Sequence, residues 1–387
     1  MKKARRRETT GTNQQRVTKK EDENDPFSTI PLDLIVEILL KIPTKSVASL
    51  VLVSKQWLSL IRGKDFINLY MSRSSNMTRL LFTISGTYVR EEFLQTCSQV
   101  DPSSNDHRHR LNLTLHRMHV YAFSPPVRGL ICRQMDSNVV IANPSTGQLL
   151  TLPRVKTIRR GVLSFLGYDP VNDLYKVLCM TVLGGDQRGP HVVSEEHQVY
   201  TLGSGQRRWR MIECEHPHLP PPPSCLVTKG ICINGILYYY AWIKNDGALI
   251  SFDMISEEFN VITLPEDINC LVSYNGKIAI SSWPTVNGEA HVWVLEDASK
   301  QEWSKVSIVV PSWIDLVGTD CGFRFRGTLS TGELIFSPTN MVKPFYFISY
   351  DLKENNAKKV VVERLGDPYA TLEVYFDHVE SPMFLSN

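Results

Sequence analysis

Apolar residues between Pro31 and Pro43 recur at the spacing of an α-helix. The stripe, at positions i, i+3, i+4 and i+7, consists of Ile35, Ile38, Leu39 and Ile42. Pro31 suits the first turn, where a helix needs no backbone donor, and Asp33 interacts favourably with the helix dipole. Pro43 ends the run, so the pattern predicts one short amphipathic helix.

Two further helices are predicted before Gly63. We expect Thr44 to cap the second helix and Gly63 to end the third. Their apolar positions are Val47, Leu50 and Val51, followed by Val53, Trp57, Leu60 and Ile61. A last short stretch, Phe66 to Tyr70, closes a small three-helix domain over residues 27–72. Its surplus apolar surface predicts docking on the rest of the chain or on another protein.

From about residue 77 onward, short runs of Val, Ile, Tyr, Phe and Trp alternate with turn residues, a pattern typical of β-strands. One type of hairpin recurs at a spacing of roughly 50 residues. Its equivalent positions are Asn143, Leu202, Asp253, Glu296 and Asp351. Between these hairpins lies a second type, with turns at Asn234-Gly235, Asn275-Gly276 and Thr331-Gly332. Four strands per repeat predict that residues 77–383 form an all-β domain, a kelch-like β-propeller rather than a large β-sandwich.

Turn chemistry adds detail to this domain. The Asn-Gly pairs predict type I′ turns, because both central residues of such a turn need positive φ. The polar run from Thr96 to Arg110 is expected to be a loop, and no helix is expected after residue 77. The fold class is therefore α+β, with a helical domain followed by a β domain.

Positive charge is concentrated at the start of the chain. The formal net charge is +2, yet residues 1–20 hold eight Lys or Arg against one acidic residue, Glu8. The remaining residues hold 34 basic and 39 acidic side chains, so no nucleic-acid partner is expected for the folded part. Residues 1–25 are expected to be a disordered basic tail. The basic cluster from Lys2 to Arg7 is a candidate nuclear import signal, so we expect the protein in the nucleus, the cytoplasm or both.

Cysteines and hydropathy indicate the compartment. No apolar run approaches the roughly 18 residues of a membrane span, and the start of the chain lacks the apolar region of a secretion signal. The eight cysteines form no C-x-x-C pair, and several lie in apolar runs such as residues 230–233. We therefore expect a soluble protein in a reducing, intracellular setting, without a membrane partner.

The chain lacks the common signatures of catalysis and phosphate binding, such as G-x-S-x-G, H-E-x-x-H and the Walker loop. A group of histidines in polar surroundings, without zinc-finger spacing, consists of His107, His109, His116 and His119. A second group, in a proline-rich stretch expected to be an exposed connection, consists of Cys214, His216, His218 and Cys225. A possible aromatic platform, half of which should pack into the sheet, consists of Tyr238, Tyr239, Tyr240 and Trp242. We expect no catalytic residue, no metal ion and no cofactor.

Residues 28–70 resemble an F-box. The family pattern is a Leu-Pro start, an apolar helix ending in Ile-Leu, a second Leu-Pro and a Val-Cys-Lys-x-Trp helix. The corresponding residues are Ile30-Pro31, Ile38-Leu39, Ile42-Pro43 and Val53-Ser54-Lys55-Gln56-Trp57. Both Leu-Pro pairs are Ile-Pro here and the usual Cys is Ser54, substitutions that keep size and polarity close.

The β region resembles the F-box-associated domain of the large plant F-box family. The first matching stretches are Asn143-Pro144-Ser145-Thr146-Gly147, Gly167-Tyr168-Asp169-Pro170 and Tyr175-Lys176-Val177. The later ones are Asn234-Gly235-Ile236-Leu237-Tyr238-Tyr239, Ser251-Phe252-Asp253, Tyr274-Asn275-Gly276-Lys277 and Trp293-Val294-Leu295-Glu296. The joint order of these fragments is specific, and the two resemblances together cover nearly all of residues 27–380.

The resemblance implies a substrate-recognition subunit of a Skp–cullin–F-box ubiquitin ligase. Such a protein binds a Skp-type adaptor through the F-box, and the adaptor binds a cullin that carries the RING subunit. The C-terminal domain selects the protein to be ubiquitinated, which the sequence does not identify. The adaptor-binding residues that the resemblance implies are Ile30, Pro31, Leu34, Ile35, Ile38, Leu39, Val53 and Trp57.

Two alternatives stand beside this hypothesis. The first is a stand-alone β-propeller that binds a peptide or a sugar and has no link to ubiquitination. The second is an oxidase on a kelch-like propeller, which would need a copper site with Tyr, His and Cys ligands. Paired histidines are missing from the later repeats, where only His291 and His378 occur, and this disfavours the oxidase.

Overall fold

The structure, a computed structural model, describes the chain from residue 30 to residue 385 with gaps. The described ranges are 30–85, 91–103, 109–114, 122–135, 137–157, 161–182, 196–219, 229–244, 246–266, 270–318, 322–339, 342–363, 365 and 371–385. The expected basic tail, 1–25, therefore lies outside the described residues, as do His107, His116, His119 and Cys225.

Short helices precede the β region. Their bounds are α1 (Leu32–Leu39), α2 (Thr44–Leu50), α3 (Lys55–Arg62) and α4 (Lys64–Ser74). The fourth is the longest of them, although only three helices and a short stretch were expected. Its buried residues Phe66, Tyr70, Met71 and Ser74 have helical spacing, and they pack on neighbouring elements. Among the described residues, no helix has the length and hydrophobicity needed to cross a membrane.

Twenty-four strands follow the helices within the described ranges. The first twelve are β1 (Arg79–Ser85), β2 (Glu91–Ser98), β3 (His109–Thr114), β4 (Ala122–Phe123), β5 (Ile131–Met135), β6 (Asn138–Asn143), β7 (Gln148–Thr151), β8 (Gly161–Asp169), β9 (Leu174–Val182), β10 (Glu196–Thr201), β11 (Arg210–Ile212) and β12 (Ile231–Ile233). The others are β13 (Ile236–Ile243), β14 (Asp246–Asp253), β15 (Phe259–Thr263), β16 (Cys270–Tyr274), β17 (Lys277–Ser281), β18 (Glu289–Asp297), β19 (Glu302–Val309), β20 (Phe323–Thr328), β21 (Leu334–Pro338), β22 (Phe345–Asp351), β23 (Asn356–Val362) and β24 (Thr371–His378).

These strands form six four-stranded antiparallel sheets, the blades of a β-propeller. Five blades are meanders of consecutive strands: β4–β7, β8–β11, β12–β15, β16–β19 and β20–β23. The remaining blade has the order β24-β1-β2-β3, so its first strand comes from the end of the chain. We number it blade 1 and count the others in chain order. The prediction of an all-β propeller is confirmed, and the sandwich alternative is wrong.

A hydrophobic cluster fills each junction between neighbouring blades. Leu81 and Ile131 belong to the cluster between blades 1 and 2, while Phe82 and Phe347 join blades 6 and 1. The other four junctions have clusters of the same kind. Each sheet is therefore buried on both faces, and no blade has a core of its own.

Local turn chemistry repeats from blade to blade. Asn234 and Asn275 have φ of 50° and 49°, and Gly235 and Gly276 have 83° and 76°, which confirms the predicted type I′ turns. At the turns between third and fourth strands, a side-chain oxygen accepts bonds from backbone amides two and three residues later. The residues that provide this oxygen are Asn143, Asp253, Asp297 and Asp351.

Some sequence expectations are wrong in detail. The turn residue of blade 5 is Asp297 rather than Glu296, because the pairing of β18 with β19 shifts by one residue between 295 and 297. Thr96 belongs to β2, where it pairs with His109 of β3, so the expected loop is shorter. A fifth helix, α5 (Trp313–Val317), follows β19. Trp313 anchors it between Phe323 and Phe336, and five residues are too few to show a periodic pattern.

Residues 379–385, here named the C-terminal segment, follow β24 and join the propeller to the helices. Asn143, fully buried at the turn of blade 2, donates its amide to the carbonyls of Ser381 and Met383 at 3.0 and 2.8 Å. Its oxygen accepts from the backbone amide of Ser145 at 3.0 Å. A single side chain therefore fixes both the turn and the C-terminal segment.

The helices hold the other side of the C-terminal segment. Thr44 donates to the carboxylate of Glu380 at 2.8 Å, and its hydroxyl lies 3.0 Å from that of Tyr70. The expectation that Thr44 caps α2 is therefore wrong, because Pro43 occupies the cap position and the hydroxyl has these distant partners instead. Burial raises the pKa of Tyr70, which keeps its hydroxyl protonated to donate to the Ile42 carbonyl.

All these contacts lie on one face of the propeller, formed by the turns between first and second and between third and fourth strands. We call it the tethered face. Arg79, at the start of β1, pairs with Glu380 at 3.1 Å, and Arg128, between β4 and β5, donates to Asn68 of α4. The opposite face, which includes residues 282–288 and 310–318, is named the open face. The helical domain therefore leaves the open face uncovered within the described residues.

We expect Gly235→Val and Gly276→Val to destabilise the propeller, each by on the order of 1–3 kcal/mol, because valine resists positive φ. The cost should be larger at Gly235, where a Cβ would lie 2.8 Å from Pro170, than at Gly276, where nothing lies within 4 Å. Urea unfolding measures both costs, and Gly276→Asn is the mild control because Asn tolerates positive φ. Wild-type stability for both valine variants would contradict the turn assignment.

Asn143→Ala should loosen the C-terminal segment without unfolding the blades. Loss of two hydrogen bonds should lower the free energy of local opening by about 2 kcal/mol. Hydrogen exchange of residues 379–385 measures this change. Asp351→Ala is the matched control, because it removes the same kind of turn in blade 6, where the turn does not hold the C-terminal segment. Equal exchange in the two variants would contradict the tether.

Candidate adaptor-binding surface

Several large aliphatic side chains of the helical domain are exposed. On α1, Leu34 and Ile38 lie one turn apart and are 55% and 50% exposed, and Leu32 at the start of the helix is exposed as well. Val53 is also exposed, and Leu52, between α2 and α3, is 88% exposed. Large aliphatic residues with this much exposure on so small a domain indicate a surface that another protein covers.

The residues that the F-box resemblance implies fall into two groups. Pro31, Leu34, Ile38 and Val53 are exposed, and Ile30 is half-buried. The others, buried in the helical core, are Ile35, Leu39 and Trp57. These three therefore shape the surface from beneath and do not form it. Leu32 and Leu52 were missed because they lie outside the motif residues that carried the F-box resemblance and also off the helical stripe of α1.

Local capping and packing fix the orientation of this surface. Ser54 caps α3 by accepting a bond from the Trp57 amide at 3.3 Å. Trp57 and Leu39 then pack in one core cluster, which also includes Phe384 of the C-terminal segment. The propeller thus contributes an apolar side chain to the helical domain, and this holds α1 at a set angle to the blades.

The proline-rich stretch also differs from expectation. His218 is fully buried at the junction of blades 3 and 4, and its Nε2 lies 2.7 Å from the Tyr239 hydroxyl. The neighbouring Leu219 pairs with Trp242, so this part of the stretch is not an exposed connection. Tyr239 is fully buried, which confirms sheet packing for that aromatic residue.

One group of potential metal ligands exists among the described residues: His197, Cys214 and His218, whose ligand atoms lie within 4.8 Å of one another. Burial lowers the pKa of His197 to about 3, so its imidazole is neutral at ordinary pH. However, His218 Nδ1 lies 2.6 Å from the His216 carbonyl and its Nε2 contacts Tyr239. The two nitrogens of His218 thus already have partners, and its ring serves as a buried link between blades.

Comparisons with known proteins agree with the division of the chain into a helical domain and a propeller. The F-box domain family matches residues 27–69, and the F-box associated beta propeller domain family matches residues 79–379. An F-box/kelch-repeat protein of Arabidopsis thaliana is 48% identical over 393 residues, which is 97% of this chain and 98% of that protein. A second Arabidopsis thaliana F-box protein is 36% identical, covering 92% and 91% of the two chains. The Arabidopsis thaliana F-box protein DOR is 34% identical, covering 93% and 94%.

F-box domains generally bind Skp-type adaptors, and F-box propeller proteins are generally adaptors rather than enzymes. The helical domain with its exposed aliphatic surface, the six-bladed propeller and the relatives point to the same family. The chain belongs to the plant F-box proteins that carry an F-box associated β-propeller domain.

Proposed function

We propose that this protein is the target-recognition subunit of a Skp–cullin–F-box ubiquitin ligase. The observation that carries the proposal is the exposure of five large aliphatic side chains on a domain that matches the F-box family: Leu32, Leu34, Ile38, Leu52 and Val53. A Skp-type adaptor covers this surface and links the protein to a cullin and its RING subunit. The buried residues Ile35, Leu39 and Trp57 give the surface its shape.

The propeller is the part that selects the target. Two neighbouring segments on the open face of blade 5 carry four exposed apolar side chains. These are Trp283 and Val286 on one segment and Val309 and Ile314 on the other. The amide of Val310 donates to the carbonyl of Gly288 at 3.1 Å, which holds the two segments together. This face points away from the helical domain, so target and adaptor bind at opposite ends of the protein.

Ubiquitin transfer on such a complex needs no chemistry from this chain. The ligase raises the effective concentration of target lysines near the activated ubiquitin. The protein's role is to hold the target at a set distance and orientation from the adaptor. The contacts of Asn143, Glu380 and Thr44 support this role because they limit motion between the helical domain and the propeller. A hinge at this junction would lower the effective concentration, since a flexible connection spreads the target over a larger volume.

Ile38→Asp should weaken adaptor binding by at least about 2 kcal/mol, or roughly thirtyfold, because the new charge must lose water in an apolar interface. The pair Pro31→Ala with Leu34→Ala should have an effect of the same order. Isothermal titration with a purified Skp-type adaptor measures the affinity. Leu352→Asp, at an exposed turn of blade 6 with 47% exposure, is the matched control and should bind normally.

The thermal midpoint of each variant should stay near that of the wild type, since Ile38 lies outside the core. Unchanged adaptor affinity for Ile38→Asp, or no adaptor binding by the wild type, would overturn the ligase proposal. The protein would then be a stand-alone propeller that binds a peptide or a sugar.

We also propose that residues 1–25 direct part of the protein to the nucleus, because residues 1–20 carry eight basic side chains. Replacement of the cluster Lys2, Lys3, Arg5, Arg6 and Arg7 by glutamine should lower the nuclear fraction of a fluorescent fusion. Replacement of Lys353, Lys358 and Lys359 on blade 6 by glutamine is the control for loss of positive charge elsewhere in the chain, and it should leave the nuclear fraction unchanged. The import proposal fails if the nuclear fractions of the two variants are the same.

A further inference from the structure

A cavity of about 340 Å³ lies at the centre of the propeller. Its walls come from the first strands of several blades, β12, β16, β20 and β24, together with the turn around Arg128. This volume falls at the lower end of the range for small-molecule sites, roughly 300–1,000 Å³. The cavity is therefore large enough for a small ligand or for the end of a peptide.

Three basic side chains meet one carboxylate in this cavity. Glu373 Oε2 lies 2.6 Å from Lys229 Nζ, while Glu373 Oε1 lies 3.0 Å from Arg326 Nη2 and 3.5 Å from Arg324 Nη2. Burial pushes the pKa of Glu373 upward, but the three cations outweigh it and hold that pKa well below its usual range. The cluster thus carries three positive charges against one negative charge.

The other charged residues of the cavity wall do not compensate this excess. Asp377 accepts bonds from Gln99 and from the backbone amide of Ser330 at the other end of the cavity. Arg128, near that end, donates to Asn68 and lies over the ring of Tyr168. Asp377 and Arg128 thus have partners outside the cluster. The three cations and the carboxylate of Glu373 therefore leave the cluster with a net charge of +2.

Donor groups in the cluster also exceed the acceptors. Arg324 is 6% exposed, and its Nε has no hydrogen-bond partner. An ammonium and two guanidinium groups present far more N–H donors than the carboxylate of Glu373 and the carbonyl of Val374 accept. Buried cations and buried donors without acceptors are costly, so this arrangement favours occupation by an acceptor that carries negative charge.

The cluster is accessible from the open face. Lys229 precedes β12 and Arg324 is the second residue of β20, so both lie where first strands begin, away from the helical domain. The side chain of Lys229 is 26% exposed. We propose that the cluster of Lys229, Arg324, Arg326 and Glu373 is a binding site for an oxyanion group, a carboxylate or a phosphate.

Guanidinium groups match such oxyanions well, because their planar N–H donors bind two oxygens at once. The oxyanion has two sources with the same chemistry, a free small molecule or the carboxylate at the end of a bound peptide. The site concerns the propeller alone and does not depend on adaptor binding.

The test is isothermal titration of the full-length protein with citrate and with inorganic phosphate, at constant ionic strength in chloride. We expect saturable binding of at least one of them. Lys229→Gln should weaken it about tenfold, which corresponds to about 1.4 kcal/mol. Lys358→Gln, an exposed lysine on blade 6 that pairs with Glu333, is the control and should bind like the wild type.

Glu373→Gln gives the decisive readout, because it removes the internal anion that competes with the ligand. The variant should bind citrate or phosphate more tightly than the wild type, and the anion should raise its thermal midpoint more. A role of Glu373 in stability alone predicts lower stability without this added dependence on anions. Such a result would overturn the proposal even if Lys229→Gln failed to fold.

A short peptide with a free C-terminal carboxylate, compared with its amide, separates the two sources. Binding of the acid and not the amide supports a peptide end, while binding of citrate or phosphate alone supports a free small molecule. No saturable binding of citrate, phosphate or the peptide acid would overturn the proposal. Equal affinities of the wild type and Lys229→Gln would overturn it as well.

Discussion

The antiparallel pairing of β24 with β1 joins the last strand of the chain to the first blade. Each blade depends on its neighbours for a core, so an open ring would expose the apolar faces of blades 1 and 6. The same pairing sets where the chain leaves the propeller. Residues 379–385 emerge from the end of β24 directly beneath the helices, and Glu380 reaches both Thr44 and Arg79.

Ring closure therefore also positions the F-box. A four-helix domain of this size has a limited core, and here that core includes Phe384 from the C-terminal segment. Polar contacts of Thr44, Tyr70 and Asn143 fix the junction at several points. An adaptor bound to α1 is thereby held at a set distance from the open face, which suits a protein that works by bringing two partners together.

The centre of the ring has a different character from its junctions. Between the blades most contacts are apolar, whereas the first strands bring Lys229, Arg324, Arg326 and Glu373 into one cavity. These residues come from three distant parts of the sequence, which belong to blades 4, 6 and 1. In a propeller the first strand of each blade faces the central cavity. A charge cluster can therefore form in the cavity without disturbing the hydrophobic clusters between the sheets.

Features set by neighbouring residues could be predicted from the sequence. The first three helices follow from spacing and proline positions, the Asn-Gly turns follow from the need for positive φ, and the repeated hairpins follow from their period of roughly 50 residues. The F-box residues could be named, but their division into exposed Leu34 and Ile38 and buried Ile35 and Trp57 could not be derived in full. Only tertiary structure decided the partners of Thr44, the burial of His218, the strand that completes blade 1 and the cation cluster. Each of these joins residues distant in sequence, and their approach depends on how the closed ring places its strands, which no local pattern encodes.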